Sequence, residues 1–490
     1  MAAFKLVWGK FPEDNADDRF KIGLMWHEGT RLFQKDFAEA ARWWRRPAEQ
    51  GHVAAQNSLG YLHLKGQGVS QDYAEAAKWW RKAAEQGDTS AQVNLGLLYF
   101  NGDGVPQDYA EAAKWWRKAE GQGDINAQYH IGSLYSRGVG VPLDYTEAAN
   151  WWRKAAEQGH TISQYHLGSL YFNGNGVPQD YAEAAKWWRK AAEQGHTISQ
   201  YHLGSLYSRG VGVPLDYTEA AKWWRKAAEQ GNAFAQFEIG LLYSVGERVT
   251  QDYSETIKWW RKAAEQGHDH SQYRLGLLYF KGQGVQRDFT EAEKLFLWAA
   301  ESGNVYAQCQ LGSMYHKGQG VPQNYNKAAN WFRKAAAQGK DSAQSELGLM
   351  YYKGQGVPQN YSEAAILFQM AVSQGYCDAQ YNFGLMYYKG DGVPQDYAEA
   401  AKWWRKAAEQ GDVRAQHDLG YMYAKGQGVQ QNYILAHMWI NLAISKITDS
   451  RSDRLNRAIN DRDEIASKMT SAQVAKAQKL AREWKPKWKK

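Results

Sequence analysis

Apolar residues along this chain fall at helical spacing, in pairs of short segments. Between residues 125 and 137 the stripe is Ala127, Ile131, Leu134 and Tyr135. Between residues 145 and 158 it is Tyr145, Ala148, Ala149, Trp152 and Ala156. Spacings of three and four residues put each set on one buried helix face. The pattern predicts a helix A over about Ile125 to Arg137 and a helix B over about Tyr145 to Gln158. Asp144 followed by Glu147 reads as an N-cap and capping box for helix B. Gly159 reads as a left-handed residue ending helix B, and Gly138 with Pro142 separates the two helices. Trp151 lies at the edge of the stripe, where it can reach a neighbouring pair. Outside it, Arg153 and Glu157 stand four residues apart and are expected to pair.

The pair is written over and over with a period of 36 residues. Gly51, Gly87, Gly123, Gly159, Gly195, Gly231, Gly267, Gly303, Gly339, Gly375 and Gly411 keep that interval without an insertion or deletion. Each copy is therefore one structural step, and a period of this size predicts a solenoid. The expected fold is all-α, a stack of antiparallel helix pairs. The expected organisation is an N-terminal arm at 1–18, a divergent capping repeat at 19–51 and eleven helix-pair repeats at 52–447. Capping helices and a basic tail follow at 448–490. Those last helices are expected over about Ser452 to Ser467 and Ala472 to Trp484, with Thr470 and Gln473 as a capping box. The tail carries Lys485, Lys487, Lys489 and Lys490. Residues 128–158 and 200–230 are almost identical, which implies duplication of a two-repeat block.

Composition adds little that the repeat does not explain. The 23 tryptophans include eight Trp-Trp pairs, all at one place in helix B. A net charge of +7, from 59 basic and 52 acidic residues, is a weak excess over this length and does not point to nucleic acid. No apolar run approaches the roughly 20 residues that span a bilayer. Residues 1–10 lack the apolar core of a signal peptide. The expected location is cytoplasmic as written, and periplasmic or secreted if an export signal has been removed. Cys309 and Cys377 lie two repeats apart, so they are read as unpaired thiols.

The chain contains no Ser-x-x-Lys, Gly-x-Ser-x-Gly, His-Glu-x-x-His, phosphate-loop lysine or Cys-x-x-Cys motif. Recurring acids have structural work as caps or surface charge. A catalytic site needs a unique cluster, so the expectation is not an enzyme, with no cofactor and no metal. His130, His166 and His202 recur at one position, but equivalent atoms ~10 Å apart cannot share a metal whose ligands sit ~2 Å away.

The words Ala-x-x-Trp-[Trp/Phe]-Arg-Lys-Ala-Ala-Glu-Gln-Gly, Ala-Gln-x-x-Leu-Gly-x-Leu-Tyr and Gly-x-Gly-Val-Pro-Gln-Asp-Tyr closely resemble the Sel-one-like repeat (SLR) family. That family is a relative of the tetratricopeptide repeat. The resemblance covers about residues 19–447. It implies a right-handed superhelix, a bacterial protein of adaptor type, and helix A on the concave side. Cysteine-rich members have been described as β-lactamase-like. This chain lacks their paired cysteines, so that activity is not implied.

On such a wall the column Tyr129, Tyr165, Tyr201, Phe237 and Tyr273 offers an aromatic row to an extended peptide or partner helix. The alternative is packing between adjacent A helices. Arg137, Arg209 and Lys281 recur near the end of helix A. They can meet acidic partner groups or simply favour the helix dipole. The expected function is a non-enzymatic scaffold holding a protein or peptide in the concave groove, with oligomeric state unknown. One alternative is an inhibitor or immunity protein that wraps a toxin or effector. Another is an exported envelope or host-interaction factor that binds peptidoglycan or a surface protein.

Overall fold

The computed structural model describes residues 15–30, 33–246, 250–447 and 453–486. The residues of the expected arm before Asn15, and Lys487, Lys489 and Lys490 of the tail, lie outside them. Among the described residues there are 26 α-helices, and none is assigned as strand. They form the expected all-α solenoid of stacked helix pairs. The chain divides into two compact halves, residues 1–239 and 240–490. Within each half a helix packs on its partner in the repeat and on the helix next to it in the chain.

One repeat of the first half shows how the sequence dictates the step. Asp124 caps helix A (Ile125–Arg137) by accepting from the Ala127 N–H at 2.7 Å. The helix ends at left-handed Gly138, whose N–H returns to Leu134. Asp144 caps helix B (Tyr145–Glu157) by accepting from Thr146 and Glu147 N–H at 2.8 and 3.1 Å. These caps satisfy amide groups that a helix start leaves orphaned. The reciprocal half of the expected capping box is replaced. Where the third residue is glutamate and the sixth lysine, they pair with each other, as Glu111 with Lys114 and Glu183 with Lys186, both at 2.8 Å. The cap's own amide is already taken: Asp108, Asp144 and Asp180 N–H donate to the Tyr99, Tyr135 and Tyr171 carbonyls of the A helix before them at 2.9, 3.0 and 2.9 Å. At Thr470 and Gln473 both halves of the box are present.

The two tryptophans of a pair do different work. Trp152 is buried and donates its indole N–H to the Tyr129 carbonyl at 3.2 Å. The same bond joins Trp116 to Val93, Trp188 to Tyr165 and Trp224 to Tyr201. The ring lies on Gly132, where a Cβ would come within 2.6 Å of it. That contact explains the glycine inside helix A. Trp151 reaches the cluster of Ala112, Trp116, Ile131 and Leu134, tying its repeat to the preceding one. Lys154 lies 4.1 Å over the Trp151 ring.

The loop between A and B docks on the preceding repeat. Gly140 has φ +70°, and a Cβ there would meet Tyr109, the first residue of the preceding B helix, at 2.5 Å. Left-handed backbone and close approach both demand glycine. The expected Arg153–Glu157 pair gives way to another bond. Arg153 donates to the Tyr171 hydroxyl of the next A helix at 3.1 Å and to Asn150 at 3.3 Å. Arg81–Tyr99, Arg189–Tyr207 and, in the second half, Arg405–Tyr423 repeat the link. A partly buried phenol on the next repeat offers a better-fixed acceptor than a solvated glutamate.

In the second half, helix Tyr433–Lys446 packs against both Asp453–Ala466 and Ser471–Glu483. Ala458, Ile465 and Ala477 are buried there, so the two helices cover apolar surface.

Candidate functional site

In the first half, helices Ile125–Arg137, Thr161–Asn173 and Thr197–Arg209 carry Tyr129, Tyr165 and Tyr201 at equivalent positions. Each ring is half-buried against the next repeat. Tyr129 lies 5.1 Å from His160 and stacks on His166 at 6.0 Å. Tyr165 meets His196 at 4.9 Å and stacks on His202 at 6.2 Å. Tyr201 meets Phe234 at 5.9 Å, and burial raises the pKa of its hydroxyl. The column thus fills the gap between neighbouring A helices while keeping part of each ring exposed. Phe237 is also half-buried. In the second half Tyr273 lies 5.9 Å from both Phe296 and Tyr306.

The cations stand further out. Arg137, Arg209 and Lys281 are exposed at the last turn of their helices. Arg137 lies 5.9 Å over the Phe100 ring. Glu238 is half-buried in the A helix that follows Arg209. Burial pushes its carboxyl above the ordinary range, and Arg209 opposes that rise.

The recurring histidines are packing groups. His130, His166 and His202 stack flat on Trp116, Trp152 and Trp188 at 4.7, 4.5 and 4.6 Å. Burial lowers His130 and His166 to about 4 and moves His202 in the same direction. They are neutral imidazoles near neutral pH. A second histidine set caps helices: His160 and His196 accept from Ser163 and Ser199 N–H through Nδ1. Among the described residues no group of three His, Cys, Asp or Glu is placed to hold a metal. Cys309 and Cys377 are free thiols. Burial pushes both up, Cys377 to about 12, so neither is a ready nucleophile.

Sequence reasoning missed a buried amide relay. Gln164, in helix A, is buried and donates to the Ala156 carbonyl of the preceding B helix at 3.0 Å. It accepts from Gln194, at the end of its own B helix, at 2.8 Å. Gln92 with Ala84 and Gln122, and Gln308 with Ala300 and Gln338, repeat the arrangement. The recurring glutamines of the Ala/Ser-Gln and Gln-Gly words carried this signal.

The arrangement offers a repeated apolar surface edged by cations. It does not gather a nucleophile, a base and an acid. No helix among the described residues is long and apolar enough to cross a membrane.

Comparison with known proteins follows the same lines. The Sel1 repeat model matches twelve consecutive segments, from 18–52 and 53–88 through 377–412 and 413–446. The crystal structure of a protective antigen present in uropathogenic Escherichia coli strains, displaying an SLR fold, aligns with 35% identity and a TM-score of 0.62. That alignment covers 96% of this chain and 91% of the other. A Sel1 repeat protein from Oxalobacter formigenes aligns with 36% identity and a TM-score of 0.50, over 61% of this chain and 86% of that one. Comparison with curated proteins gives no match. With twelve matched repeats and a relative aligned over nearly its whole length, the chain belongs to the Sel1 repeat family.

Proposed function

We propose that the chain is a non-enzymatic scaffold that holds a partner protein or peptide against its A helices. One observation carries this reading. In the first half Ile162, Ile198 and Phe234, second residues of successive A helices, are 42%, 43% and 57% exposed. They stand in register beside the half-buried rings of Tyr129, Tyr165 and Tyr201. A repeated apolar strip with aromatic flanks suits a partner helix or an extended peptide, and Arg137 and Arg209 favour acidic residues beside its apolar ones. In the second half Tyr273 and Lys281 belong to the same reading.

Affinity capture from the native host tests it. Wild type is compared with an Ile162/Ile198/Phe234→Ser variant and a Tyr129/Tyr165/Tyr201→Ala variant, each checked by thermal melting. A partner held by wild type and lost by the serine variant at an unchanged melting temperature supports the strip. Equal capture by all three removes the site from this face. Stoichiometric, nanomolar binding to one toxin or effector narrows the reading to a dedicated inhibitor.

A second reading is an exported factor that meets the host or the envelope. What favours it is the 35% identical relative described as a protective antigen. Fractionation of the native host decides it: recovery wholly with the cytoplasm rules it out.

A further inference from the structure

Near its C-terminal end the second half gathers a combination of side chains that no earlier repeat contains. Helices Cys377–Lys389, Val413–Lys425 and Asp453–Ala466 supply Tyr381, Arg414, His417, Asp418, Arg454 and Arg457 to a cleft of about 400 Å³. The Arg414 position is Ile198, Phe234, His270, Tyr306, Ser342 and Asp378 in earlier repeats. The cluster is therefore not a by-product of the period.

Its acids are already engaged. Asp412 accepts from the Arg414 guanidinium at 2.6 Å and from the Ala415 N–H at 2.9 Å, and Asp378 also accepts from Arg414. The Arg414 guanidinium lies 4.3 Å over the Tyr381 ring. His417 bonds Asp418 through Nδ1 at 3.1 Å and Asp461 through Nε2 at 2.9 Å. The Tyr381 hydroxyl donates to Asp418 at 3.1 Å. Arg414 and His417 are thus locked in orientation by partners on several helices.

Arg454 and Arg457 are different. They stand three residues apart on one helix face, both exposed at the cleft, and neither makes an ion pair with an acid among the described residues. Two planar guanidiniums at this spacing can each present a two-toothed donor fork to one group of oxygens. Burial opposes charge on His417, but its two aspartate partners outweigh that and raise its pKa.

We propose that this cleft binds the phosphoryl group of a phosphomonoester, with Arg454 and Arg457 as its principal ligands. A dianion fits better than a carboxylate. Asp418 on the wall repels any anion, so the preference rests on geometry: a phosphoryl group offers three terminal oxygens to two guanidinium forks, where a carboxylate offers two. This site does not depend on the A-helix strip of the first half, and its failure leaves that reading untouched.

Calorimetric titration of the full chain in chloride buffer at pH 7.5 tests it, with inorganic phosphate and O-phospho-L-serine as probes and acetate at matched ionic strength as comparison. The expected result is saturable binding of both phosphates with Kd on the order of 1 mM or tighter, and none of acetate, the charge-assisted bonds to a dianion being the stronger ones. Arg454→Gln with Arg457→Gln should weaken it at least tenfold. Arg482→Gln, an exposed arginine on another helix, should leave it unchanged. Arg454→Lys with Arg457→Lys keeps the charge but loses the forks, and should retain only part of the affinity. Tighter binding of phosphoserine than of phosphate points to a protein-borne source, and equal binding to free phosphate. No saturable heat with either probe, binding that survives the Gln pair at an unchanged melt, or acetate binding equally well overturns the proposal.

Discussion

Acid should weaken the first half through its stacked histidines. His130 and His166 lie flat on tryptophan rings, and burial lowers each from 6.5 to about 4. The folded state therefore prefers neutral imidazole, while the unfolded chain takes up a proton near 6.5. The sign follows: this contribution is fully present above about pH 6.5 and is lost as pH falls toward 4. At pH 5 an unfolded histidine is almost wholly protonated and the folded one hardly at all. The difference is about 2 kcal/mol for each ring. Partial solvent access and cation–π attraction of imidazolium to the tryptophan return some of it, leaving about 1 kcal/mol each. The two rings lie in successive repeats, whose contributions add to about 2 kcal/mol. The assay is urea unfolding of wild type and of a His130→Phe/His166→Phe variant at pH 7.5 and pH 5.0. Phenylalanine keeps a flat ring on the tryptophan but cannot titrate. His160, His196 and His202, also lowered by burial, remain in both proteins and cancel. Wild type should lose about 2 kcal/mol more than the variant over this interval. Equal losses would show that these rings protonate without cost, and the reasoning would fail.

Other outcomes follow from single contacts. Gly132→Ala places a Cβ 2.6 Å from the Trp152 ring and should cost about 1–3 kcal/mol in denaturant melts. Gly159→Ala meets no atom within 4 Å but sits at φ +94°, so its cost should be smaller, about 1 kcal/mol. Gln164→Leu leaves the Ala156 carbonyl and the Gln194 amide without their partner and should cost about 1–3 kcal/mol, with faster amide exchange at the end of the preceding B helix. Trp152→Ala opens a cavity and should cost about 3–5 kcal/mol; an unchanged melt would put that ring on the surface.

Most of the fold was legible because each helix signal is local. The Asp144 cap, the Gly138 stop and the Ala148–Trp152 stripe act within a turn or two, and the 36-residue period repeats them until they cannot be mistaken. Bonds between helices were not legible in the same way. Arg153 was assigned to Glu157 because one-helix spacing says nothing of Tyr171, 18 residues on in another helix. The buried glutamines escaped for the same reason: their polarity is satisfied by carbonyls and amides that only stacking brings near. The Tyr129 column was found from its period. Its packing against His160 and His166 depends on how far apart two A helices stand, which no residue states. The arginine cleft needed helix Asp453–Ala466 to be laid against Val413–Lys425, beyond the reach of any repeat pattern.

The glutamine relay also bears on how such a chain changes length. Most junctions ask their neighbour for the same donor and offer the same acceptor; at Ser302 and Lys446 the donor differs, and the Gln272 and Gln416 side-chain oxygens are left without a partner. A block of 36 or 72 residues copied into the array therefore meets matching partners at both seams, and no amide is stranded. The near-identity of 128–158 and 200–230 is what such an event leaves behind. An insertion that is not a multiple of 36 residues would offer no such match at its seams. Selection can thus adjust the reach of this protein only in whole steps, and each new step is born already bonded to its neighbours.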